Sequence, residues 1–156
     1  SRQALMSVLS KIFKVTSVFA MAGWLLLVVL PSWQYSQFIV VGINVTLLSF
    51  IYTYLIIFGK RLDAPGYKSS GNFSSLQGVM DLFKSPRAVL AGWIHYLAFD
   101  LFIGLFIVSN AAHYDISHWL LVPCLLLALM FGPAGLLLYF VIRFAVTQDY
   151  MAVNFF

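Results

Sequence analysis

Charged residues are scarce in this chain, and glutamate is missing altogether. Only 9% of the 156 residues are charged, and the acidic ones are five aspartates. Soluble domains usually carry about a quarter charged residues. With 62% hydrophobic residues and a mean hydropathy of +0.95, the chain is predicted to be one integral membrane domain covering residues 1–156.

Cysteine is almost absent as well. Cys124 is the only one, which excludes an internal disulfide and a multi-cysteine metal site. The three histidines are too few and too scattered for a haem pair or a multi-histidine di-iron centre, and there is no phosphate-binding glycine loop and no GxSxG motif. The net charge of +4 gives no reason to expect nucleic acid, because the basic residues flank apolar segments. We therefore expect no metal, no cofactor and no nucleic-acid partner.

Four apolar runs are long enough to approach the roughly 20 residues that cross a bilayer. The predicted spans are residues 14–30, 38–58, 88–108 and 119–142. All nine lysines and arginines lie before span one, between spans two and three, or after span four. The positive-inside rule then puts both termini on the cytoplasmic or stromal side. The predicted fold is an all-α, four-transmembrane-helix bundle in a bacterial inner membrane or a plastid membrane.

The long connection between spans two and three carries an apolar pattern of its own. Phe73, Leu76, Met80 and Phe83 recur at helical spacing, Ser74 or Ser75 is a suitable N-cap, and Pro86 is a stop signal. The pattern predicts a short amphipathic helix at the membrane surface. Two interpretations stay open: an interfacial helix with a role such as a lid, or a plain surface connector.

Two ionisable residues, His95 and Asp100, lie inside span three. A charged aspartate at the centre of a span costs about 2.5–3.5 kcal/mol on insertion scales, so intramembrane ionisable residues usually have a function. Five residues correspond to roughly 140° around a helix, so the two side chains do not share a face. Each therefore needs a partner from another helix or from a ligand.

Depth in the membrane suggests those partners. Asn44 is predicted at the level of Asp100, and Tyr52 at the level of His95. Small residues at 92 and 132 would admit another helix or a flat ligand, and Pro133 is predicted to kink span four near mid-membrane. The predicted binding residues are Trp93, Tyr96, Asn44, Tyr52, Gly92, Gly132 and Pro133. The structural alternative is that these polar residues only hold helices together.

Histidines also lie in the connection between spans three and four. His113 and His118 with Asp115 have the chemistry of metal ligands, but no helical motif such as HExxH supports that role. We interpret them as part of a solvated loop.

Several runs of this sequence resemble the abscisic-acid-deficiency family. They are FSSLQGV from Phe73, SPRAVLAGWIHYLAFDLF from Ser85, His118 followed by VPCL from Val122, and MFGPAGLLLY from Met130. Plant members of this family are four-span plastid membrane proteins needed to form neoxanthin from violaxanthin, and bacteria have relatives. The resemblance implies a carotenoid ligand and an isomerisation that opens an epoxide to an allenic alcohol.

The reaction implied by this resemblance needs one acid and one base but no redox cofactor. One group protonates the epoxide oxygen, and another removes a proton from the neighbouring polyene carbon. Asp100 and His95 are the predicted pair. Burial disfavours the charged form of both groups, which suits a protonated aspartic acid and a neutral histidine base, but which residue has which role stays open.

Two further classes of function remain. A non-catalytic subunit could bind pigment or lipid inside a larger membrane complex, with His95 and Asp100 tying helices together. A transporter is the weaker alternative, because four spans without a repeat are few for alternating access, although a homo-oligomer would enlarge the bundle. The expected partners are membrane lipids, an apolar polyene ligand, and further copies or subunits.

Overall fold

The computed structural model describes residues 1–150, and within them the chain is helical, with no strand. Helix α1 covers Arg2–Val29. A π-helical segment, Phe38–Val45, leads into α2, Thr46–Phe58, and a 3-10 turn at Gly59–Leu62. The remaining helices are α3 (Leu76–Leu82), α4 (Pro86–His113), α5 (His118–Met130) and α6 (Gly132–Thr147). The predicted all-helical class is confirmed.

Three helical stretches are long and apolar enough to cross a membrane: Arg2–Val29, Phe38–Leu62 and Pro86–His113. They contain predicted spans two and three with wider bounds, and α1 covers predicted span one except its last residue, Leu30. Helix α1 begins well before residue 14 because no proline or glycine interrupts residues 2–13. Helix α4 begins at Pro86 because proline, which lacks an N–H, is well suited to the first helical position. Pro86 therefore starts α4 and does not end α3.

The predicted fourth span, residues 119–142, is not one helix. Helix α5 ends at Met130, Phe131 has φ −142° and ψ 84°, and α6 starts at Gly132. The break therefore precedes Pro133, which lies in the first turn of α6, where no intrahelical hydrogen bond is lost. The predicted mid-span kink at Pro133 is wrong. Pro123, by contrast, is inside α5.

Helices α5 and α6 form a hairpin. A Cβ added to Gly135 would lie 2.6 Å from the Cα of Ala128, which requires the chain to reverse at Phe131. At 1.5 Å per residue, α5 is about 20 Å long and falls short of the roughly 30 Å hydrocarbon core.

Helix α6 runs alongside the second half of α4. Its first residue, Gly132, lies against Asp100, and Arg143 lies against Asn110 and Tyr114. The lengths agree: about 15 Å separates Asp100 from Asn110 along α4, and about 16 Å separates Gly132 from Arg143 along α6. Arg143 therefore lies at the end of α4 that carries the α4–α5 connection. The prediction that Arg143 lies opposite that connection is not confirmed, because α6 runs back toward the start of α5.

Helix α3 confirms the predicted amphipathic segment. The Ser75 hydroxyl accepts a hydrogen bond from the Gly78 N–H at 3.0 Å and caps the helix. The four apolar side chains that define the predicted face are all exposed: Phe73, Leu76, Met80 and Phe83. Phe83 packs against Gly92 of α4, whereas Phe73, Leu76 and Met80 form an apolar face of the kind that a segment lying on a membrane surface presents.

The chain divides into two compact units. The first unit consists of Ser1–Phe19 and Leu47–Leu97, and the second of Ala20–Thr46 and the described residues from Ala98 onward. The first buries Leu9, Leu48, Leu55, Leu90 and Ile94; the second buries Trp24, Leu27, Leu101, Ile107, Leu125 and Tyr139. The single domain and the sides of the two termini stay predictions.

Candidate functional site

His95 lies on the surface of the first unit. Its side chain is exposed, and its ring meets the Tyr52 ring edge-on, with centroids 5.7 Å apart and planes at 65°. The predicted proximity of Tyr52 and His95 is confirmed. The expectation of a buried imidazole is wrong, because the helix face that carries His95 also carries exposed Phe99 and Phe102.

Trp93 lies against α1 in the same unit, and Tyr96 stacks on Trp93. The Trp93 indole N–H donates to the Ser17 hydroxyl at 3.0 Å, and the Phe13 and Trp93 rings are 5.3 Å apart. Trp93 and Tyr96 stack at 5.4 Å with planes at 20°. No pattern in the sequence indicated a role for α1 here, although Ser17 is a polar residue inside an apolar run.

Gly92 makes room for an aromatic ring of its own chain. A Cβ at residue 92 would lie 2.9 Å from Cε1 of Phe83. The missing side chain therefore brings the end of the α3 segment close to α4. The space predicted for another helix or a flat ligand is taken by Phe83.

Asp100 is buried in the second unit, with 7% of its surface exposed. A Cβ at Gly132 would lie 2.7 Å from the carboxyl carbon of Asp100, so only glycine fits at that position without a shift. Two effects act on this carboxylate. Burial disfavours its charge, whereas the first turn of a helix, here α6, favours a nearby negative charge. The hairpin thus brings Gly132 and Asp100 together, and Pro133 begins the helix beside them.

Asn44 is buried on the π-helical segment, with 2% of its surface exposed. A Cβ at Gly23 of α1 would lie 3.3 Å from the Asn44 amide carbon and 2.9 Å from a Leu101 methyl. Asn44 therefore lies beside the turn of α4 that carries Asp100, as the depths predicted from the sequence require. Short π-helical stretches are frequent at functional sites.

A third polar cluster was not predicted. The Tyr139 hydroxyl donates to Oδ1 of Asn110, and Nη1 of Arg143 donates to the same oxygen at 3.0 Å. The Arg143 guanidinium also lies 4.9 Å from the Phe140 ring centroid. Tyr139 and Arg143 are four residues apart, so they share a helix face. This spacing of four residues could have indicated the cluster from the sequence. The prediction instead placed Arg143 just after the fourth membrane span.

Within residues 1–150, no three His, Cys, Asp or Glu side chains come together as in a metal site. His118, one of the loop residues considered as a metal ligand, instead has its Nε2 2.7 Å from the carbonyl oxygen of Val28. That contact ties the start of α5 to the end of α1 within the second unit.

Comparison with known proteins identifies one family. The model of the ABA4-like family, described as ABA DEFICIENT 4-like, matches residues 11–139. No curated protein and no solved structure matches the chain. The match includes His95, Asp100, Asn44 and Gly132 and covers well over half of the sequence. Taken with the three long apolar helices, it shows that the chain is a membrane protein of the ABA DEFICIENT 4-like family.

Proposed function

We propose that this protein is a carotenoid-handling membrane isomerase that opens an epoxide to an allenic alcohol. Family membership fits a role related to neoxanthin synthesis. The observation that carries the proposal is the position of Asp100: a carboxylic acid buried in the middle of a long apolar helix, against Gly132 at the hairpin turn. Ionisable groups held at such depth are usually functional.

The proposed reaction balances without an oxidant or a reductant. A base removes a proton from the polyene carbon next to the epoxide, and the released electron pair forms a new double bond as the carbon–oxygen bond breaks. An acid then gives a proton to the oxygen, which becomes the alcohol. Because no net electrons move, the reaction needs no redox cofactor. We assign the proton transfers to Asp100 and His95 and leave their order open.

The polyene ligand would be held by the residues predicted from the sequence. Asn44 adjoins the turn of α4 that carries Asp100, while Tyr52, Trp93 and Tyr96 offer aromatic faces in the first unit. Gly92, Gly132 and Pro133 shape the backbone around Phe83 and Asp100. Aromatic rings suit a long, flat, apolar molecule better than a polar one.

The membrane arrangement proposed here has three crossings and one hairpin. Helix α1, the stretch Phe38–Leu62 and α4 cross the bilayer, and α5–α6 enters it from the His113 end of α4 and returns there. The basic residues in the first half of α1 and from Lys60 to Arg87 favour the cytoplasmic or stromal side for those segments. The membrane is a bacterial inner membrane or a plastid membrane.

Pigment conversion in a violaxanthin-producing host tests the activity. The intact protein should yield a new allenic pigment by chromatography, and Asp100→Asn should lower its formation by about 100-fold or more, since general acid–base groups contribute about 10²–10⁴-fold. Asp115→Asn makes the same chemical change in an exposed loop and should leave conversion unchanged. His95→Gln should lower it, with exposed His113→Gln as the matched control.

Two results would contradict the proposal at different levels. If the intact protein makes no new pigment although it is present in the membrane, the activity is wrong for that substrate. If the intact protein is active and Asp100→Asn matches it, the activity stands but the assignment of Asp100 is wrong.

A second candidate function is a non-catalytic subunit that binds pigment or lipid in a homo-oligomer or larger complex. It is favoured by the exposure of His95 together with Phe13 and Trp93 on the surface of the first unit. Gentle purification separates the two candidates. A large partner at fixed stoichiometry, with pigment bound but unconverted, supports the subunit.

A further inference from the structure

The first unit concentrates positive charge. Its segments, residues 1–19 and 47–97, hold eight lysines and arginines against two aspartates, a formal net charge of +6. Both aspartates are already paired. Asp63 accepts two hydrogen bonds from Arg87, each 2.9 Å long, and Asp81 lies 2.6 Å from Nζ of Lys84. The unit therefore has cations left over and no carboxylate left to repel an anion.

Two cavities lie within this unit on either side of Tyr67. The first, about 300 Å³, combines basic Arg2 and Lys84 with an apolar wall from α1, namely Leu5, Met6 and Leu9. The second, about 670 Å³, is bordered by Lys60, Arg61 and Lys68 and by the paired Asp63 and Arg87. Tyr67, Leu5 and Ala64 border both. One cavity thus offers cations beside an apolar surface, and its neighbour offers mainly cations.

The walls of the second cavity are held in place by the Arg87 ion pair. Arg87 donates hydrogen bonds to both carboxylate oxygens of Asp63 and to the Leu55 carbonyl, each 2.9 Å long. The Ser85 hydroxyl donates to Asp63 at 3.0 Å. These bonds tie the turn after α2 to the start of α4, so Lys60 and Lys68 flank a fixed loop.

The α3 segment of the same unit indicates that these basic residues face a membrane surface. Phe73 and Leu76 are 85% and 78% exposed, so the apolar side of this segment has little cover from the protein. Apolar side chains beside lysines and arginines are the pattern of a segment that lies on an anionic bilayer.

We propose that the cavities around Tyr67 bind an anionic phospholipid. The phosphate-bearing headgroup lies among Lys60, Arg61 and Lys68, and an acyl chain follows the apolar wall of α1 from Leu5 to Leu9. Binding requires both parts of the ligand, because one cavity supplies the charge and the other the apolar contact. This site is separate from the proposed isomerase chemistry and does not depend on it.

Lipid retention tests the proposal. The full chain is reconstituted in nanodiscs of equal parts phosphatidylglycerol and phosphatidylcholine, released, and weighed with its bound lipid by native mass spectrometry. We expect retained phosphatidylglycerol to exceed phosphatidylcholine. Lys60→Gln with Lys68→Gln should lower that preference about tenfold or more, since each basic residue near an anionic surface contributes about 1 kcal/mol.

A matched pair distinguishes a site from general charge. Lys11→Gln with Lys14→Gln removes the same charge from exposed positions of α1 that border neither cavity, and should keep the preference. Lys60→Arg with Lys68→Arg should keep it too, which separates lost charge from a folding defect. Equal losses in both glutamine pairs, or no retention by the arginine pair, would overturn the proposal.

Inorganic phosphate distinguishes the lipid from a free anion. Phosphatidylglycerol added to the protein in detergent should raise its melting temperature, whereas the same concentration of inorganic phosphate should leave it unchanged. If phosphate alone stabilises the protein as much, the site binds a phosphate group without its lipid and the proposal is wrong.

Discussion

Two arginines near opposite ends of α4 are held in different ways. Arg87, in the first turn, binds the Asp63 carboxylate through Nε and Nη2, and both side chains retain some exposure. Arg143, on α6, lies beside Asn110 near the other end and is 5% exposed. There its guanidinium donates to the neutral amide oxygen of Asn110 and to the Tyr150 carbonyl, and it lies over three aromatic rings, those of Tyr114, Tyr139 and Phe140.

The difference follows from how much water reaches each site. A fork-to-fork arginine–carboxylate pair is strong and directional, and at a partly exposed position neither charge pays the full cost of leaving water. In a buried site, ring faces and an amide oxygen stabilise a cation without bringing in a second charge. One site should therefore respond to the titration of its aspartate, and the other should not.

The largest effect we predict concerns the side of the membrane on which Arg143 lies. In a Cys124→Ala background, cysteines introduced at Ser117 and Gln148 flank the α5–α6 hairpin, and both positions are exposed. Because the hairpin returns to the end at which it begins, a membrane-impermeant maleimide should label both from the same side. A single crossing by residues 119–142 would give labelling from opposite sides, and the contrast between the two arginine sites would then need another explanation.

The sequence predicted the long helices but not the hairpin. Hydropathy counts apolar residues, and residues 119–142 form one apolar run whether the chain crosses the membrane or turns back. The turn depends on the extended backbone of Phe131 and on the contact of Gly135 with Ala128. No local sequence pattern predicts either feature. Pro133 indicated a disturbance in the correct region, but a proline fits the start of a new helix as well as a kink.

The candidate site was predictable where the helices involved are regular. Helical periodicity predicted that His95 and Asp100 do not share a face, which agrees with an exposed His95 and a buried Asp100. Depth arguments correctly brought Tyr52 to His95, because α2 and α4 are regular around these residues. Gly132 was selected for its small size, but its partner Asp100 depends on the hairpin. The exposure of His95 also needed the packed structure, since periodicity does not say which face neighbouring helices cover.

The next effect tests the Arg87 site. Asp63→Asn should lower the free energy of unfolding by about 2 kcal/mol at neutral pH, less than the 3–5 kcal/mol for breaking a fully buried pair, because the site is partly exposed. Urea titration in detergent measures it. Asp81→Asn removes a carboxylate whose lysine partner is 67% exposed and should leave stability nearly unchanged. An equal loss in both variants would contradict the special role of the Asp63 pair.

The difference in free energy of unfolding between wild type and Asp63→Asn should disappear in acid. Burial raises the pKa of Asp63, but hydrogen bonds from Arg87 and Ser85 and the charges of Arg87 and Lys60 outweigh it, so the folded-state pKa lies below the ordinary value of 3.8. A group with a lowered pKa stabilises the fold above its unfolded-state pKa and loses that contribution as the pH falls through the folded value. The difference between wild type and Asp63→Asn should therefore be constant from pH 7 to about pH 4 and shrink below it.

The smallest effect belongs to the Arg143 site. Tyr139→Phe removes the hydroxyl that donates to Oδ1 of Asn110 but leaves Arg143 bound to that oxygen at 3.0 Å. The free energy of unfolding should fall by about 1 kcal/mol, the usual net value of one hydrogen bond. Asn110→Ala should cost more, because the Tyr139 hydroxyl and the Arg143 guanidinium then lose their shared acceptor in a buried place. Neither loss should change between pH 7 and pH 4, because the bonds removed join an amide oxygen to a hydroxyl and a guanidinium, and none of these titrates in that range. A loss from Tyr139→Phe that disappears in acid, as that from Asp63→Asn should, would mean that a carboxylate holds this arginine too.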